Sequence, residues 1–384
     1  MRIAPKLARL EIFCLRHRLS VSVPLKTVFG TLESRPALLI RIEDAEGAEG
    51  WGEIWCNFPA PGAEYRANLA AAVLRPALAA VETGMPSSAF QIVRGRLHAL
   101  ALQSGEGGPA DQISSGVDMA VHDLAARRAN IPLARLLGGL PRALNCYASG
   151  IDSRQAAEMI PEARSLGYSA FKVRVGFDRE SDLRAMESYP GWLEDGEILA
   201  IDANQNWSVA DVIELKDSIN AAPFEWVEEP LRVDRPLQEW ARAAESLGHA
   251  IAAGENMRSP AEFDSAISGD ILGVVQPDVC KWGGVSGCLD IARRTIASGK
   301  RYCPHFLGGG IGLLASAHLL SAAGGNGLLE IDVNENSLRE AFAGALLPLK
   351  GGLAVTPDGP GLGIVPDRSA IKQFQRLHFD ISIE

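Results

Sequence analysis

Three carboxylates stand at the ends of successive short apolar runs: Asp202 in AIDANQ, Glu228 in WVEEP and Glu255 in AAGEN. Any one of them alone would be an ordinary solvated charge at a strand end. If the runs are neighbouring strands, which lie about 5 Å apart, three acids at one depth must repel, take up protons or share a cation. An all-oxygen set with room for water and a ligand favours Mg2+ over zinc. Glu229 adjoins Glu228 but, by the alternation of side chains along a strand, is expected to face the opposite side.

Two further runs end in Asp278 (VVQPDV) and His305 (CPHF). A carboxylate beside an imidazole fixes its tautomer and raises its proton affinity, the arrangement wanted of a general acid–base histidine. Glu330 in GLLEID adds one more acid. In FKVRVG, residues 171–176, alternation sends Phe171, Val173 and Val175 outward and points Lys172 and Arg174 the same way, toward a bound ligand. The acids and an anionic ligand would balance these cations; simple pairing with Asp or Glu is the plainer reading.

The elements that must carry these groups begin near residue 143. NCYASG, AFKVRVG, EILAIDANQ, FEWVEEP, AIAAGEN, ILGVVQPDV, RYCPHF and GLLEID are apolar runs alternating with helix-length amphipathic segments, at roughly 25 to 30 residues per repeat. That repeat predicts an α/β fold, a (β/α)8-type, TIM-like barrel. A doubly wound open sheet is the rival, but it gathers its site at one switch point, whereas here polar groups end nearly every run. LGGGIG resembles a nucleotide-binding loop only loosely, since Leu313 stands where the third glycine should be. A glycine-rich turn that lets backbone approach a ligand is the better reading.

Ahead of the repeats, LARLEIFCLRHRLSVSV and PALLIRIEDAEGAEGWGEIW read as β-structure with a hairpin. QISSGVDMAVHDLAARRANIPLARLLGG carries a helical stripe of Val117, Met119, Ala120, Val121, Leu124 and Ala125 that Pro132 interrupts. The expected organisation is an α+β capping domain over 1–130, a barrel over 140–350, and a turn-rich segment over 351–384 that returns to the cap.

Composition excludes several classes. A formal charge of −10 argues against nucleic acid or an anionic membrane as partner, while a few buried cations could still hold a small anionic substrate. No apolar stretch approaches a membrane span, and the N-terminus shows no signal-peptide pattern. The six cysteines are scattered without CxxC pairs, so a reducing cytoplasm is expected.

Taken together, Lys-x-basic, Asp-x-Asn, Glu-Glu-Pro, Gly-Glu-Asn, then Asp and His on consecutive runs, the chain resembles the mandelate racemase subgroup of the enolase superfamily. SGVDMAVHDLAARRANIPLARLLGG is similar to that family's last capping helix and TPDGPGLGI to its C-terminal signature. The resemblance implies that Asp202, Glu228 and Glu255 bind Mg2+, which holds a substrate carboxylate. It further implies that His305, oriented by Asp278, acts from one face, that Glu330 bonds the enolic oxygen, and that Lys172 and Arg174 lie on the other face. Asn204, with cap residues Lys26, Thr27 and Asn57 near Leu25, Trp55 and Phe58, would bind and select the substrate. A homo-oligomer is implied as well.

The family's usual second lysine is Arg174 here. Guanidinium keeps its proton to above about pH 12 and is a poor base. A racemase exchanges protons on both faces, so the single histidine favours loss of the α-proton followed by loss of a β-hydroxyl, the chemistry of an acid-sugar dehydratase working through an ene-diolate. A 2-hydroxy-acid racemase or epimerase is the alternative, then a non-catalytic ligand-binding relative. Cycloisomerisation and dipeptide epimerisation fit less well, because Asp278 stands where such relatives carry lysine.

Overall fold

The computed structural model describes residues 5–19, 25–27 and 30–383. Its first layer is a four-stranded antiparallel sheet in the order Gln375–Ser382, Leu7–Arg18, Ser34–Asp44, Glu49–Ile54. The hairpin read from the acidic and glycine residues at 44–50 is the pair formed by the last two of these strands. The edge strand comes from the far C-terminus, paired from Arg9↔Ser382 to Leu15↔Gln375.

Helix Gly107–Arg128 packs on this sheet, and its neighbours explain why the sequence spaces glycines as it does. A Cβ on Gly52 would lie 2.0 Å from the Gly116 carbonyl oxygen, and one on Gly116 2.5 Å from Ile54 Cγ1. Only glycine on both sides permits that approach. The stripe of Val117, Met119, Ala120, Val121 and Leu124 is buried, yet so are Asp118, His122 and Asp123. Asp118 accepts from Phe90 N–H (3.1 Å) and from Ser286 N–H and Oγ–H (2.9 and 2.6 Å), while Asp123 accepts from Trp51 and Leu362 N–H. The helix is therefore buried on both sides, between the sheet and the elements that follow, with its polar groups spent on cross-links.

The eight runs form eight parallel strands: Cys146–Asp152, Ala170–Arg174, Ile198–Asp202, Val227–Glu228, Ile251–Ala253, Leu272–Val275, Arg301–Tyr302 and Leu329–Asp332. The eighth pairs with the first from Leu329↔Cys146 to Asp332↔Ser149, which an open doubly wound sheet would not do. Among the described residues the backbone ladder lapses only between strands seven and eight. There Leu328 N–H reaches Cys303 Sγ (3.4 Å) and Phe306 N–H reaches Glu330 Oε2 (3.0 Å). The barrel reading holds.

Alternation along these strands sorts the side chains into layers. Phe171, Val173, Val175, Ile201, Val227 and Leu329 are buried beneath the outer helices. Tyr147, Ala170, Ala200, Trp226, Ala252, Val274, Cys303 and Leu328 form a separate apolar floor inside. One step of two residues up from that floor come Lys172, Asp202, Glu228, Gln276, His305 and Glu330. The fold thus places the ionisable residues as the next inner layer, above an apolar plug.

Candidate functional site

A cavity of about 180 Å3 opens above this layer. Lys172, Arg174, Asp202, Asn204, Glu255, His305 and Glu330 line it from the barrel, and Trp55, Asn57 and Phe58 from the cap.

The strand registers set the polar contacts. Arg174 stands opposite Asp202, and Asp202 opposite Glu228. The Lys172 ammonium sits among three acids: it contacts Glu228 Oε1 and lies 2.9 Å from Glu330 Oε1 and 3.4 Å from Asp202 Oδ2. Burial would strip its proton, but the charges of Glu228 and Glu330 outweigh that and hold its pKa well above the usual lysine value. The plainer reading of FKVRVG therefore applies to Lys172: it is paired with carboxylates. One ammonium cannot satisfy three acids, and burial pushes the Glu228 carboxyl up despite the lysine beside it. Glu228 Oε2 also accepts from Trp226 Nε1–H (3.0 Å) and Gln276 Nε2–H (2.7 Å), which fixes the side chain beneath Lys172. Arg174 donates to the Gly150 carbonyl across 2.8 Å.

Glu255 reaches the site by a backbone device. Ala252 and position 254 point inward by alternation, so residue 255 on a continued strand would point out. The strand stops at Ala253, and Gly254 adopts φ +146. A Cβ at Gly254 would meet the Gln276 backbone at 2.8 Å. The Glu255 carboxylate then contacts His305 Nε2, accepts from Asn256 Nδ2 (2.8 Å) and lies 3.3 Å from Lys281 Nζ. Burial works against its charge, but His305 and Lys281 hold the carboxyl well below its usual range. Glu229 differs from expectation. With φ +38 it leaves the strand path, is buried, and accepts from Asn256 Nδ2 at 2.9 and 3.1 Å. Burial, and then the charge of Glu255, push its carboxyl well up.

His305 Nδ1–H donates to Asp278 Oδ2 across 2.8 Å, and Asp278 Oδ1 accepts from Cys280 and Lys281 N–H (2.8 and 3.2 Å). An acceptor at Nδ1 leaves Nε2 as the ring nitrogen free for proton transfer. That Nε2 faces Glu255 and lies 4.0 Å from Glu330 Oε2. Burial opposes the imidazolium, yet Glu255, Glu330 and Asp278 raise the His305 pKa well above its ordinary value.

Asn204, at φ +44, donates its N–H to Asp202 Oδ1 (2.8 Å), and Asn57 Nδ2–H donates to the Leu307 carbonyl (2.6 Å). The backbone of Leu25–Thr27 pairs with Gly30–Leu32, but the side chains of Lys26 and Thr27 lie outside the described residues. Sequence reasoning missed Lys281, Asn256 and Asp332 in the lining. Lys281 lies 5.1 Å from the centre of the Trp55 ring. Its place in a loop just past Asp278 was the available signal. Asp332, two residues after Glu330 on the same face, pairs with Arg35 of the cap (2.6 Å).

Among the described residues no three His, Cys, Asp or Glu side chains form a ready metal cage. Lys172 holds Asp202 and Glu228, and His305 holds Glu255. The donor chemistry nonetheless suits a hard divalent ion: oxygen donors from three adjacent strands, with negative charge left over after Lys172. Among the described residues, no helix is long and apolar enough to cross a membrane.

Residues 9–138 match the family model for the mandelate racemase/muconate lactonizing enzyme N-terminal domain, and residues 153–370 match the enolase C-terminal domain-like model. The chain is 29% identical to a D-galactarolactone cycloisomerase of Agrobacterium fabrum, over 96% of this chain and 99% of that protein. It is 32% identical to an L-talarate/galactarate dehydratase of Salmonella typhimurium, over 53% of this chain and 52% of that one. Among solved structures, a mandelate racemase/muconate lactonizing enzyme of Bordetella bronchiseptica superposes with TM-score 0.90 at 42% identity, covering 96% of this chain and 99% of that one. A racemase of Streptomyces coelicolor with bound magnesium superposes with TM-score 0.85 at 26% identity, covering 96% and 100%.

Proposed function

This chain belongs to the mandelate racemase/muconate lactonizing enzyme family of enolase-like proteins, and from that premise we propose that it is a Mg2+-dependent acid-sugar dehydratase. One observation carries the choice of reaction: among the described residues the site has a single imidazole, His305, whose Nε2 faces the cavity from between Glu255 and Glu330, and the cations beside it are poor bases. Lys172 is clamped by three carboxylates, and Arg174 is a guanidinium. One-base chemistry favours elimination over exchange on both faces.

Asp202, Glu228 and Glu255 would hold the Mg2+, which when bound neutralises the substrate carboxylate as the α-carbon loses its proton. His305 Nε2 takes that proton while Asp278 holds the ring tautomer and supports the imidazolium. For this, Nε2 must part from Glu255 and give up the proton that Glu255 and Glu330 stabilise on it, so that the neutral ring takes the α-proton. Glu330, itself fixed by Phe306 N–H and Lys172, hydrogen-bonds the enolic oxygen. His305 then returns its proton to the departing β-hydroxyl. Arg174, Asn204, Asn57, Lys26 and Thr27 bind the rest of the acid sugar.

The near full-length likeness to a cycloisomerase favours a second reading, which the sequence had set aside. In a lactone held in the same cavity, a ring carboxylate would leave in place of hydroxide, under the same base. The six cysteines are buried and free, which supports a reducing, cytoplasmic setting.

The test is incubation with Mg2+ and a panel of mono- and diacid sugars including galactarate and D-galactarolactone, followed for 2-keto acid. Keto acid from an open-chain acid supports dehydration. Deuterium entering recovered substrate with inversion, and no keto product, would overturn it in favour of racemisation.

A further inference from the structure

Glu53 is a buried acid outside the cavity, 3% exposed, on the last cap strand Glu49–Ile54. It turns toward the barrel. Its Oε1 accepts from Gly309 N–H (2.5 Å) and its Oε2 from Gly312 N–H (2.9 Å), so the carboxylate lies across the start of helix Gly310–Ala323. This explains LGGGIG: a Cβ on Gly308 or Gly309 would stand 2.9 Å from Glu53 Oε1, and one on Gly312 2.3 Å from the Phe306 ring. The ligand that this glycine loop admits is a side chain of the protein itself. Burial pushes the Glu53 carboxyl up to about 7, against the backbone N–H groups that favour its charge.

The segment continues the clasp. Trp55 N–H donates to the Cys280 carbonyl (3.4 Å), and Asn57 Nδ2–H to the Leu307 carbonyl (2.6 Å). Cys280 lies two residues past Asp278, and Leu307 two residues past His305. Residues 53–57 therefore hold both loops that leave the Asp–His pair. The other end of the His305 segment is held by Phe306 N–H on Glu330. His305 thus hangs between a barrel acid and a cap acid.

We propose that Glu53 is a positioning residue for proton transfer: it ties the cap to the loop behind His305 and so sets the imidazole against Asp278 and the substrate α-carbon. The role rests on the dehydratase reading. Misplacement of a catalytic group by about 1 Å can slow the chemistry by about 10²-fold.

The test is Glu53→Gln, which keeps the shape but presents an NH2 to one of two N–H donors. With whichever acid of the panel the wild type dehydrates, kcat for 2-keto acid formation is expected to fall about tenfold or more. KM and Mg2+ affinity are expected to stay within about twofold of wild type on the same reasoning. Amide hydrogen exchange over 306–312 is expected to lose protection while the cap strands keep theirs. Unchanged kcat, or a KM that rises and a Mg2+ affinity that falls along with the loss of kcat, would overturn the proposal. Should Glu53→Gln not fold, Gly309→Ala, whose methyl displaces the carboxylate without removing it, is expected to give the same split. A wild type that forms no 2-keto acid from the panel would defeat the dehydratase reading, while amide protection that survives the substitution would defeat the role of Glu53.

Discussion

Asp278 Oδ2 lies 2.8 Å from His305 Nδ1, and the same aspartate is pinned through its other oxygen by the N–H groups of Cys280 and Lys281. The imidazole is therefore presented by a rigid loop. Its Nε2 is aimed into the cavity between Glu255 and Glu330.

Asp278→Asn is expected to keep the fold and lower kcat by about 10²- to 10⁴-fold, since an amide can offer Nδ1 either a donor or an acceptor and no longer fixes the tautomer. Steady-state kinetics on the acid found in the screen checks this; retention of more than half the wild-type rate would remove Asp278 from the account.

Lys172→Met leaves Asp202, Glu228 and Glu330 without their shared cation. Metal-free protein is expected to lose about 3–5 kcal/mol, as for a broken buried ion pair. Because the acids are then free to take another cation, Mg2+ is expected to raise the Tm of the variant more than that of the wild type. Thermal unfolding with and without Mg2+ measures both; an equal Mg2+ shift would speak against these acids as the metal site.

Gly254→Ala forces a side chain into φ +146 and its methyl against the Gln276 backbone. A cost of about 1–3 kcal/mol is expected from the strain, with weaker Mg2+ binding because Glu255 loses its inward turn. Calorimetric Mg2+ titration of the variant decides this, and wild-type affinity would contradict it.

His318 gives a pH dependence away from the site. It is fully buried, accepts from Ala134 N–H (3.1 Å), and burial lowers its pKa to about 4. An unfolded histidine titrates near 6.5, so between about 6.5 and 4 the unfolded state binds the extra proton. Stability is expected to fall by up to roughly 1.4 kcal/mol per pH unit from this group as pH drops through that window, and to be insensitive to it above the window. Urea unfolding of wild type and His318→Gln from pH 4.5 to 7.5 tests this: the slope from this group should vanish in the variant.

The barrel was legible because its strands alternate with period two and end in polar residues, a pattern that both sorts core from cavity and locates the cavity. Asp202 and Glu228 could be placed from that alternation. Glu255 could be placed only by its Gly-Glu-Asn context, because strand parity alone points it outward and the positive φ of Gly254 reverses that. The same blindness to backbone turns misdirected the reading of Glu229, whose φ is +38. Whether Lys172 meets a ligand or its own acids depends on distances between strands distant in sequence. Asp332 ends the strand that carries Glu330 and was open to the same alternation. Lys281 sits in the loop past Asp278, and Glu53 reaches the loop behind His305 only through the packing of the cap against the barrel.

The central claim is that His305, on a scaffold of carboxylate-held Mg2+, removes the substrate α-proton. The direct measurement is proton NMR in D2O of the α-hydrogen of the accepted acid, with wild type and His305→Asn at saturating Mg2+. Loss of the signal with wild type, a slowing by at least about 10³-fold with the variant, and equal Mg2+ binding by both are the expected outcome. Wild-type exchange by His305→Asn would contradict the account.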